Sequence, residues 1–357
     1  MTACVDDEAG RGLAAGGSRR PEVVWLLGRG RSGTTWVSRT LSLHEHCVYK
    51  YEPFLGRDPR YVAWKERVLG LDLGDAEVRA AARASFVELL GGCQHRVDYP
   101  PFVRKSCRRQ SPALLRLTWQ LGKWLPWLRG VYEWYGRPDL RVPGSSVLIK
   151  DVNFPNEHLR QVLGVVEPVL ISLFRNPFAS VDAACRFGDK GGSAVRFKTP
   201  AAVEHLRALF RTEDCAHLRR FEGVLEGMSE VAFEALRWRV QSEPLYRITR
   251  GYERGHVMLF EDTCVRPRAC AEETLGFIGW PMTEAMRGFL EESSGGGSSG
   301  SSGRDPHGVK RDSAAVADRW VANLSAEAMR EIDEVVSDSP MLDLWPGLRE
   351  KLPEQAR

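Results

Sequence analysis

The chain has 357 residues, with 50 Lys and Arg, 47 Asp and Glu, and a formal net charge of +3. This balance argues against the broad basic surface of a nucleic-acid-binding protein and favours a small anionic partner. The eight cysteines are scattered without a C-x-x-C pair. They predict neither a zinc site nor a disulfide framework, and no metal is expected.

Residues 1–21 predict a disordered lead-in, because small and polar residues dominate there. They lack the apolar centre of a signal peptide, and no run of about 20 apolar residues occurs in the chain. With its cysteines expected to be reduced, the protein is predicted to be cytoplasmic and to have no membrane span.

Four apolar runs predict β-strands, each followed by turn or helix signals. They are EVVWLLG (22–28), SSVLIKD (145–151), EPVLISLFRNP (167–177) and GHVMLFED (255–262). Strands that alternate with helices predict an α/β fold, a parallel sheet covered by helices on both faces. Because ligands of such sheets bind at the carboxyl ends of the strands, functional residues are expected directly after these runs.

Residues 22–357 are expected to form a single domain. Within it, residues 57–144 predict a helical insertion rich in aromatic residues, on the acceptor side of the site. Core packing is the favoured interpretation of these aromatic residues, and the wall of an acceptor pocket is the alternative. They include Trp119, Trp124, Trp127, Trp134 and Tyr135. Residues 293–309 predict a flexible Gly- and Ser-rich loop, either a linker or a mobile lid.

The segment GRGRSGTTW, residues 28–36, follows the first predicted strand and precedes a helical stretch. Its two glycines are spaced as in a phosphate loop, whose backbone N–H groups and helix N-terminus bind an anion. Thr34 stands where nucleotide hydrolases have lysine, which weakens the case for a nucleoside triphosphate with magnesium. Arg31 and the hydroxyls of Thr34 and Thr35 suit a 5′-phosphate with a less charged group beyond it.

This loop resembles the 5′-phosphosulfate-binding loop of sulfotransferases that use 3′-phosphoadenosine-5′-phosphosulfate (PAPS). The family's second motif is a strand ending in an arginine that binds the 3′-phosphate, and VLISLFRNPFASVDAACRF is similar to it, with Arg175 at the strand end. The family's serine eight residues further on is replaced by Ala183. Ser180, on nearly the same helix face, is the expected substitute.

The resemblance covers residues 22–56, 145–187 and 230–340 in patches and implies a phosphate-loop-like α/β sheet. A basic pair near the C-terminal end is similar to a segment that touches the nucleotide in the family. The donor-binding residues that the resemblance implies are Arg29, Gly30, Arg31, Ser32, Gly33, Thr34, Thr35, Trp36, Arg175, Ser180, Lys310 and Arg311.

Three residues are predicted to carry the chemistry. Lys150 matches a strand-end lysine of the family, and Arg31 is expected to stabilise the leaving group. Glu52 resembles the glutamate base of members that act on sugars or tyrosine, since the histidine position of other members is Val152 here. Partial burial of Glu52 is expected to raise its pKa and improve it as a base. The alternative bases are Asp151 and His158.

The resemblance therefore predicts a sulfotransferase that moves the sulfuryl group from PAPS to a hydroxyl of a small molecule, leaving 3′-phosphoadenosine-5′-phosphate (PAP). A natural product, a lipid or a sugar is the expected acceptor, and no nucleic acid is expected as a partner. The alternatives are a non-catalytic nucleotide-binding module and a phosphate-loop kinase. A binding module has no need of Glu52 or Lys150, and a kinase needs the missing lysine.

Overall fold

A computed structural model describes residues 21–190, 198–294 and 313–356 of the chain. Within these residues, five parallel strands form one sheet in the order β2-β3-β1-β4-β5. The strands are β1 (Glu22–Gly28), β2 (Cys47–Tyr51), β3 (Ser146–Lys150), β4 (Val169–Phe174) and β5 (Gly255–Leu259). The predicted α/β fold with a parallel sheet is confirmed.

Helices connect and flank the strands. Those of the described residues are α1 (Thr34–Ser42), α2 (Pro59–Leu69), α3 (Ala76–Gly91), α4 (Pro112–Trp124), α5 (Arg129–Tyr135), α6 (Asn156–Val166), α7 (Pro177–Lys190), α8 (Pro200–Leu209), α9 (Glu230–Gly251), α10 (Phe260–Val265), α11 (Pro267–Ile278), α12 (Glu284–Ser294), α13 (Ser313–Ala317), α14 (Arg319–Asn323) and α15 (Ala326–Val336). Short 3₁₀ segments lie at Pro126–Leu128, Glu213–Val224, Pro340–Leu344, Arg349–Lys351 and Glu354–Ala356.

Alternate side chains of β1 enter two separate cores. Val24 and Leu26 pack with residues of α1, α11 and α12 on one face of the sheet. Val23, Trp25 and Leu27 pack on the other face, in a larger core that includes residues of α2, α3, α6, α7, α9 and α15. Both faces are therefore buried, which explains why the strand reads as a continuous apolar run.

Strand β2 was not among the predicted strands. Its sequence CVYKY contains a lysine, yet Lys50 is completely buried. Its ammonium donates to the Asp98 carboxylate at 2.9 Å and to the carbonyl of Gly92 at 2.5 Å. A lysine is buried only when it is paired in this way, and the partner lies 48 residues away in the sequence. Local patterning therefore does not reveal the strand.

The segment between β2 and β3 is helical, as expected, and contains α2, α3, α4 and α5. Trp119 is buried in a small cluster with Phe102, Leu115 and Tyr132. Core packing, the favoured prediction, is wrong for three other tryptophans, since Trp124, Trp127 and Trp134 are 82%, 74% and 72% exposed. Among the described residues, no helix is long and apolar enough to cross a membrane.

The buried Lys50–Asp98 pair provides a test of the fold. Asp98 also accepts from Arg108 at 2.6 Å, so Asp98→Asn leaves two buried cations without a counterion. We expect the free energy of unfolding to fall by about 3 to 5 kcal/mol in denaturant titrations. Asp262→Asn, which breaks an exposed pair with Arg266, should change it by less than about 1 kcal/mol. Equal effects of the two substitutions would contradict this account of β2.

Candidate active site at the carboxyl edge of the sheet

The carboxyl ends of β1, β3 and β4 lie side by side. Leu26 of β1 is in register with Lys150, the last residue of β3, and Gly28 with Leu173 of β4. The segments that follow these strands are therefore neighbours, although the end of β1 lies more than 120 residues before the ends of β3 and β4 in the sequence. Functional residues were predicted at this edge, because the ligands of parallel sheets bind at the carboxyl ends of the strands.

Steric limits explain both glycines that frame the first loop. A Cβ atom on Gly28 would lie 2.7 Å from the Ser32 hydroxyl and 2.9 Å from the Leu173 carbonyl. Gly33 has φ of 96°, and a Cβ there would lie 2.5 Å from the Phe260 ring. The loop between them is tight, and Arg31 takes a left-handed backbone conformation with φ of 71°.

The first turn of α1 begins at Gly33 and has no side-chain cap. Thr34 and Thr35 are the first two residues of the helix, so neither hydroxyl serves as its N-cap. The buried Ser32 hydroxyl has no hydrogen-bond partner among the described residues. The amide of Gly30 donates to the Asn153 side chain at 2.9 Å, which ties this loop to the segment after β3.

The Trp36 side chain points away from the loop and toward α12. Its indole N–H donates to the Ser293 hydroxyl at 3.2 Å, and its ring lies 6.3 Å from that of Phe289. Both partners belong to α12. The side chain thus joins α1 to α12 and does not line the pocket formed by the loop.

Arg29 links the loop to α7 and α9. It donates to the Ser180 hydroxyl at 2.8 Å, to Gln241 at 2.7 Å, and to the Glu234 carboxylate. Burial lowers the pKa of Arg29, opposed by the charge of Glu234. The predicted residues Arg29 and Ser180 therefore meet, whereas Gln241 and Glu234 went unnoticed because nothing near them in sequence resembles a motif.

Arg175 is buried at the end of β4. One nitrogen donates to the Arg31 carbonyl at 3.1 Å, and the guanidinium lies 4.3 Å from the centre of the Phe260 ring. Its Nε atom is buried without a hydrogen-bond partner among the described residues. Burial lowers the pKa of Arg175 to about 10, although the charge of Glu261 opposes the shift. It remains a cation at neutral pH.

The residue after Arg175 is held by the half-buried carboxylate of Glu261. Glu261 accepts from the backbone and side-chain amides of Asn176, at 3.1 and 2.7 Å, and from the indole of Trp345 at 2.8 Å. Asn176 in turn accepts from the Ala179 amide at 2.8 Å near the start of α7. Glu261, Trp345 and the start of α7 thus hold the backbone directly after β4 in place.

Glu52 and Lys150 form a buried ion pair. Arg57 donates to the same carboxylate at 2.8 and 3.2 Å, and the Lys150 ammonium lies 4.6 Å from the centre of the Tyr51 ring. Burial alone would raise the pKa of Glu52, but the charges and hydrogen bonds of Lys150 and Arg57 outweigh it. The pKa is therefore lowered, and the expectation that burial raises it is wrong because it ignored both cations.

The two alternative bases occupy different surroundings. Asp151 is buried and accepts from the Trp25 indole at 3.3 Å, and desolvation raises its pKa to about 7. His158 lies in the first turns of α6, half-buried, and is not a lining residue of the pocket described next. Neither group contacts Glu52 through a hydrogen bond among the described residues.

One pocket collects four of the twelve predicted donor-binding residues, Arg29, Ser32, Arg175 and Ser180, whereas the residues from Gly33 to Trp36 do not line it. It lies between the loop after β1, the end of β4 and one side of α9. Its walls include Gly28, Arg29, Ser32, Asn153, Arg175, Ser180, Trp238 and Gln241. Lys310 and Arg311 lie outside the described residues, as does most of the predicted loop 293–309. No group of His, Cys, Asp and Glu within the described residues is arranged to hold a metal ion.

Among solved structures similar to this chain are three sulfotransferases. The sulfotransferase domain from the curacin biosynthetic pathway is 13% identical with a TM-score of 0.43, over 89% of this chain and 98% of that domain. The sulfotransferase domain from the Synechococcus PCC 7002 olefin synthase is 15% identical with a TM-score of 0.42, over 90% and 97%. Sulfotransferase STF9 from Mycobacterium avium is 14% identical with a TM-score of 0.38, over 93% and 78%.

No protein-family model and no curated protein matches the chain. All three of the solved structures above are described as sulfotransferases. Their identities and TM-scores are low, so the function has to be inferred from the residues of the site.

The raised pKa of Asp151 predicts a pH dependence of stability. A carboxyl group whose pKa is raised in the folded state stabilises the fold fully below its unfolded pKa of about 4. That contribution is lost as the pH rises through about 7. Asp151→Asn, neutral at every pH, should lose less stability than the wild type between pH 4 and 7 in denaturant titrations. An unchanged pH profile would show that Asp151 is ionised throughout, and exposed Asp343→Asn is the control.

Proposed function

We propose that this protein is a sulfotransferase that moves the sulfuryl group of PAPS to the hydroxyl of a small molecule. One observation carries the proposal. The pocket after β1 and β4 contains two buried polar groups, the Ser32 hydroxyl and the Arg175 Nε, that have no partner among the described residues. A buried donor left unpaired is costly, and an anionic ligand is what satisfies both.

The polar groups in and beside the pocket suit a ligand with two separated anionic groups. The uncapped start of α1, with Ser32, Thr34 and Thr35, suits the 5′-phosphosulfate. Arg175, with Ser180 and Arg29 beside it, suits the 3′-phosphate, since guanidinium groups bind phosphate oxygens in pairs. Gly28 allows the loop to pack closely against the end of β4, because a Cβ there would clash with Ser32 and with the Leu173 carbonyl.

The donor supplies a sulfuryl group that is ready for transfer to an oxygen nucleophile. In the transfer, the acceptor hydroxyl loses its proton, an oxygen–sulfur bond forms, and the sulfur–oxygen bond to the phosphate breaks, leaving PAP. Lys150 and Arg31 are the cations assigned to the charge that develops on the leaving phosphate. Lys310 and Arg311 remain candidate nucleotide contacts, whereas Trp36 contacts α12 instead.

Glu52 is the proposed general base. Its lowered pKa keeps the carboxylate ionised at neutral pH and therefore able to accept a proton. Lys150 has two competing partners, the Glu52 carboxylate and the sulfonate end of the donor. Loosening of the Lys150–Glu52 pair raises the pKa of Glu52, because the Lys150 charge and hydrogen bond that lower it are then lost. The base thus becomes stronger when Lys150 turns to the donor.

The surroundings of Glu52 favour an apolar or aromatic acceptor. Tyr51 precedes it, and the Tyr51 ring stacks on that of Tyr99 at 4.8 Å. A natural product, a lipid and a sugar hydroxyl are the acceptors to screen.

We also propose that residues 22–357 act as one domain. The proposed location is the cytoplasm, and no nucleic acid is proposed as a partner.

Donor binding is tested by calorimetric titration of PAP without magnesium. We expect PAP to bind the wild type and to bind Arg175→Ala about ten- to a hundredfold more weakly, because charged hydrogen bonds are lost. Arg160→Ala, which removes an exposed arginine paired with Asp214, is the matched control and should bind normally. Preference for ATP with magnesium, or no binding of PAP, would refute the proposal.

The base is tested with Glu52→Gln. With an acceptor in hand, we expect kcat to fall by about 10²- to 10⁴-fold, while the affinity for PAP changes little. Glu45→Gln, at an exposed position, should leave kcat unchanged. A parallel loss of PAP affinity in Glu52→Gln would instead assign Glu52 to holding Lys150 in place.

A further inference from the structure

The outer side of α4 and α5 exposes large apolar side chains that no other described element covers. On α4 these are Leu114, Leu117, Leu121 and Trp124, and beyond it Leu125, Trp127, Val131 and Trp134. We call these eight residues the α4–α5 face. Exposed apolar residues are common singly, but a contiguous set of this size marks an interaction site.

Helix geometry shows that the exposed apolar side chains of the α4–α5 face lie together on one side of each helix. At about 100° per residue, the four α4 side chains fall within an arc of about 80°. That arc lies roughly opposite the buried side of the helix, formed by Leu115, Trp119 and Gly122. On α5, Val131 and Trp134 likewise point away from buried Tyr132, which packs in the same small cluster as Trp119. Both helices thus turn an apolar side outward from one shared core.

The charges beside this face are mostly positive. Between residues 111 and 137 the chain has four basic residues and a single acidic one, Glu133. The basic residues are Arg116, Lys123, Arg129 and Arg137. Arg116 and Lys123 lie on one flank of the α4 leucine stripe, exposed to solvent.

We propose that the α4–α5 face docks on an anionic lipid bilayer. An amphipathic helix with leucine and tryptophan on one side and basic residues beside them lies in the headgroup region of such a membrane. Tryptophan is enriched at that depth, where its ring is apolar and its N–H stays wet. A second copy of the chain fits less well, because a two-fold dimer through this face would bring its basic flanks together.

The opposite, buried side of α4 contacts the acceptor side of the candidate site. Tyr51, next to Glu52, stacks on Tyr99, and the Tyr99 ring lies 5.1 Å from that of Trp119 in α4. The Lys123 ammonium lies over the same Trp119 ring, 3.8 Å from its centre. Docking therefore places α4 between the bilayer and the aromatic side chains that lead toward Glu52. The docking proposal itself does not depend on the proposed function.

Vesicle co-sedimentation of the full chain, without donor, tests the proposal. We expect the protein to partition onto phosphatidylcholine vesicles that contain phosphatidylglycerol and much less onto pure phosphatidylcholine. The triple variant Trp124→Ser, Trp127→Ser and Trp134→Ser should reduce partitioning by at least about tenfold. Arg116→Gln and Lys123→Gln should each reduce it by about fivefold on the anionic vesicles.

Control variants separate docking from folding and from donor binding. Val224→Ser and Val265→Ser remove exposed apolar side chains elsewhere and should partition like the wild type. All variants should keep the wild-type thermal transition and PAP affinity, so a failure of PAP binding leaves the vesicle result unaffected. No partitioning, or equal partitioning onto neutral and anionic vesicles, overturns the proposal. So does a concentration-dependent dimer that the tryptophan substitutions dissociate, because it assigns the face to a second copy.

Discussion

The candidate site depends on cations buried at or near the carboxyl edge of a parallel sheet. Desolvating a charge costs several kcal/mol unless a counterion accompanies it. Four buried cations have a carboxylate at hydrogen-bond distance, in the pairs Lys50–Asp98, Arg29–Glu234, Lys150–Glu52 and Arg239–Glu243. Arg175 has instead a carbonyl and an aromatic ring as its contacts among the described residues. In the proposed function a bound anion recovers the free energy of burying Arg175, which is why it is the proposed anchor for a phosphate.

Lys150 and Glu52 represent a different solution, in which each group neutralises the other. Such a pair stabilises the charged forms of both residues, and it holds Glu52 below its ordinary pKa. A base of low pKa is a weak one, so the pair suits a resting state better than the proton transfer itself. Arg57 reinforces that state from the solvent side. An anion that competes for Lys150 is therefore also the event that strengthens the base.

The sequence was sufficient to predict those features of the fold that depend on residues close together in the chain. Four of the five strands are continuous apolar runs, and the loop glycines follow from steric limits that no other residue meets. Partners distant in sequence were not predictable. Asp98, which permits Lys50 within β2, lies 48 residues from that lysine, and Lys150, whose charge lowers the pKa of Glu52, lies 98 residues from that glutamate. The exposure of Trp124, Trp127 and Trp134 depends on which side of α4 and α5 the rest of the chain covers, and composition alone favoured the wrong answer.

Helix α9 explains how two motifs far apart in sequence form one site. Glu234, Trp238 and Gln241 follow an i, i+4, i+7 spacing and therefore share one side of the helix. Glu234 and Gln241 hold the Arg29 side chain, and the Trp238 indole donates to the Arg175 carbonyl at 3.0 Å. The separation between the loop after β1 and the end of β4 is thus fixed by a 22-residue helix packed on the sheet and not by flexible connections. Recognition of two anionic groups at a set distance requires that rigidity, because a displacement of about 1 Å weakens both contacts at once.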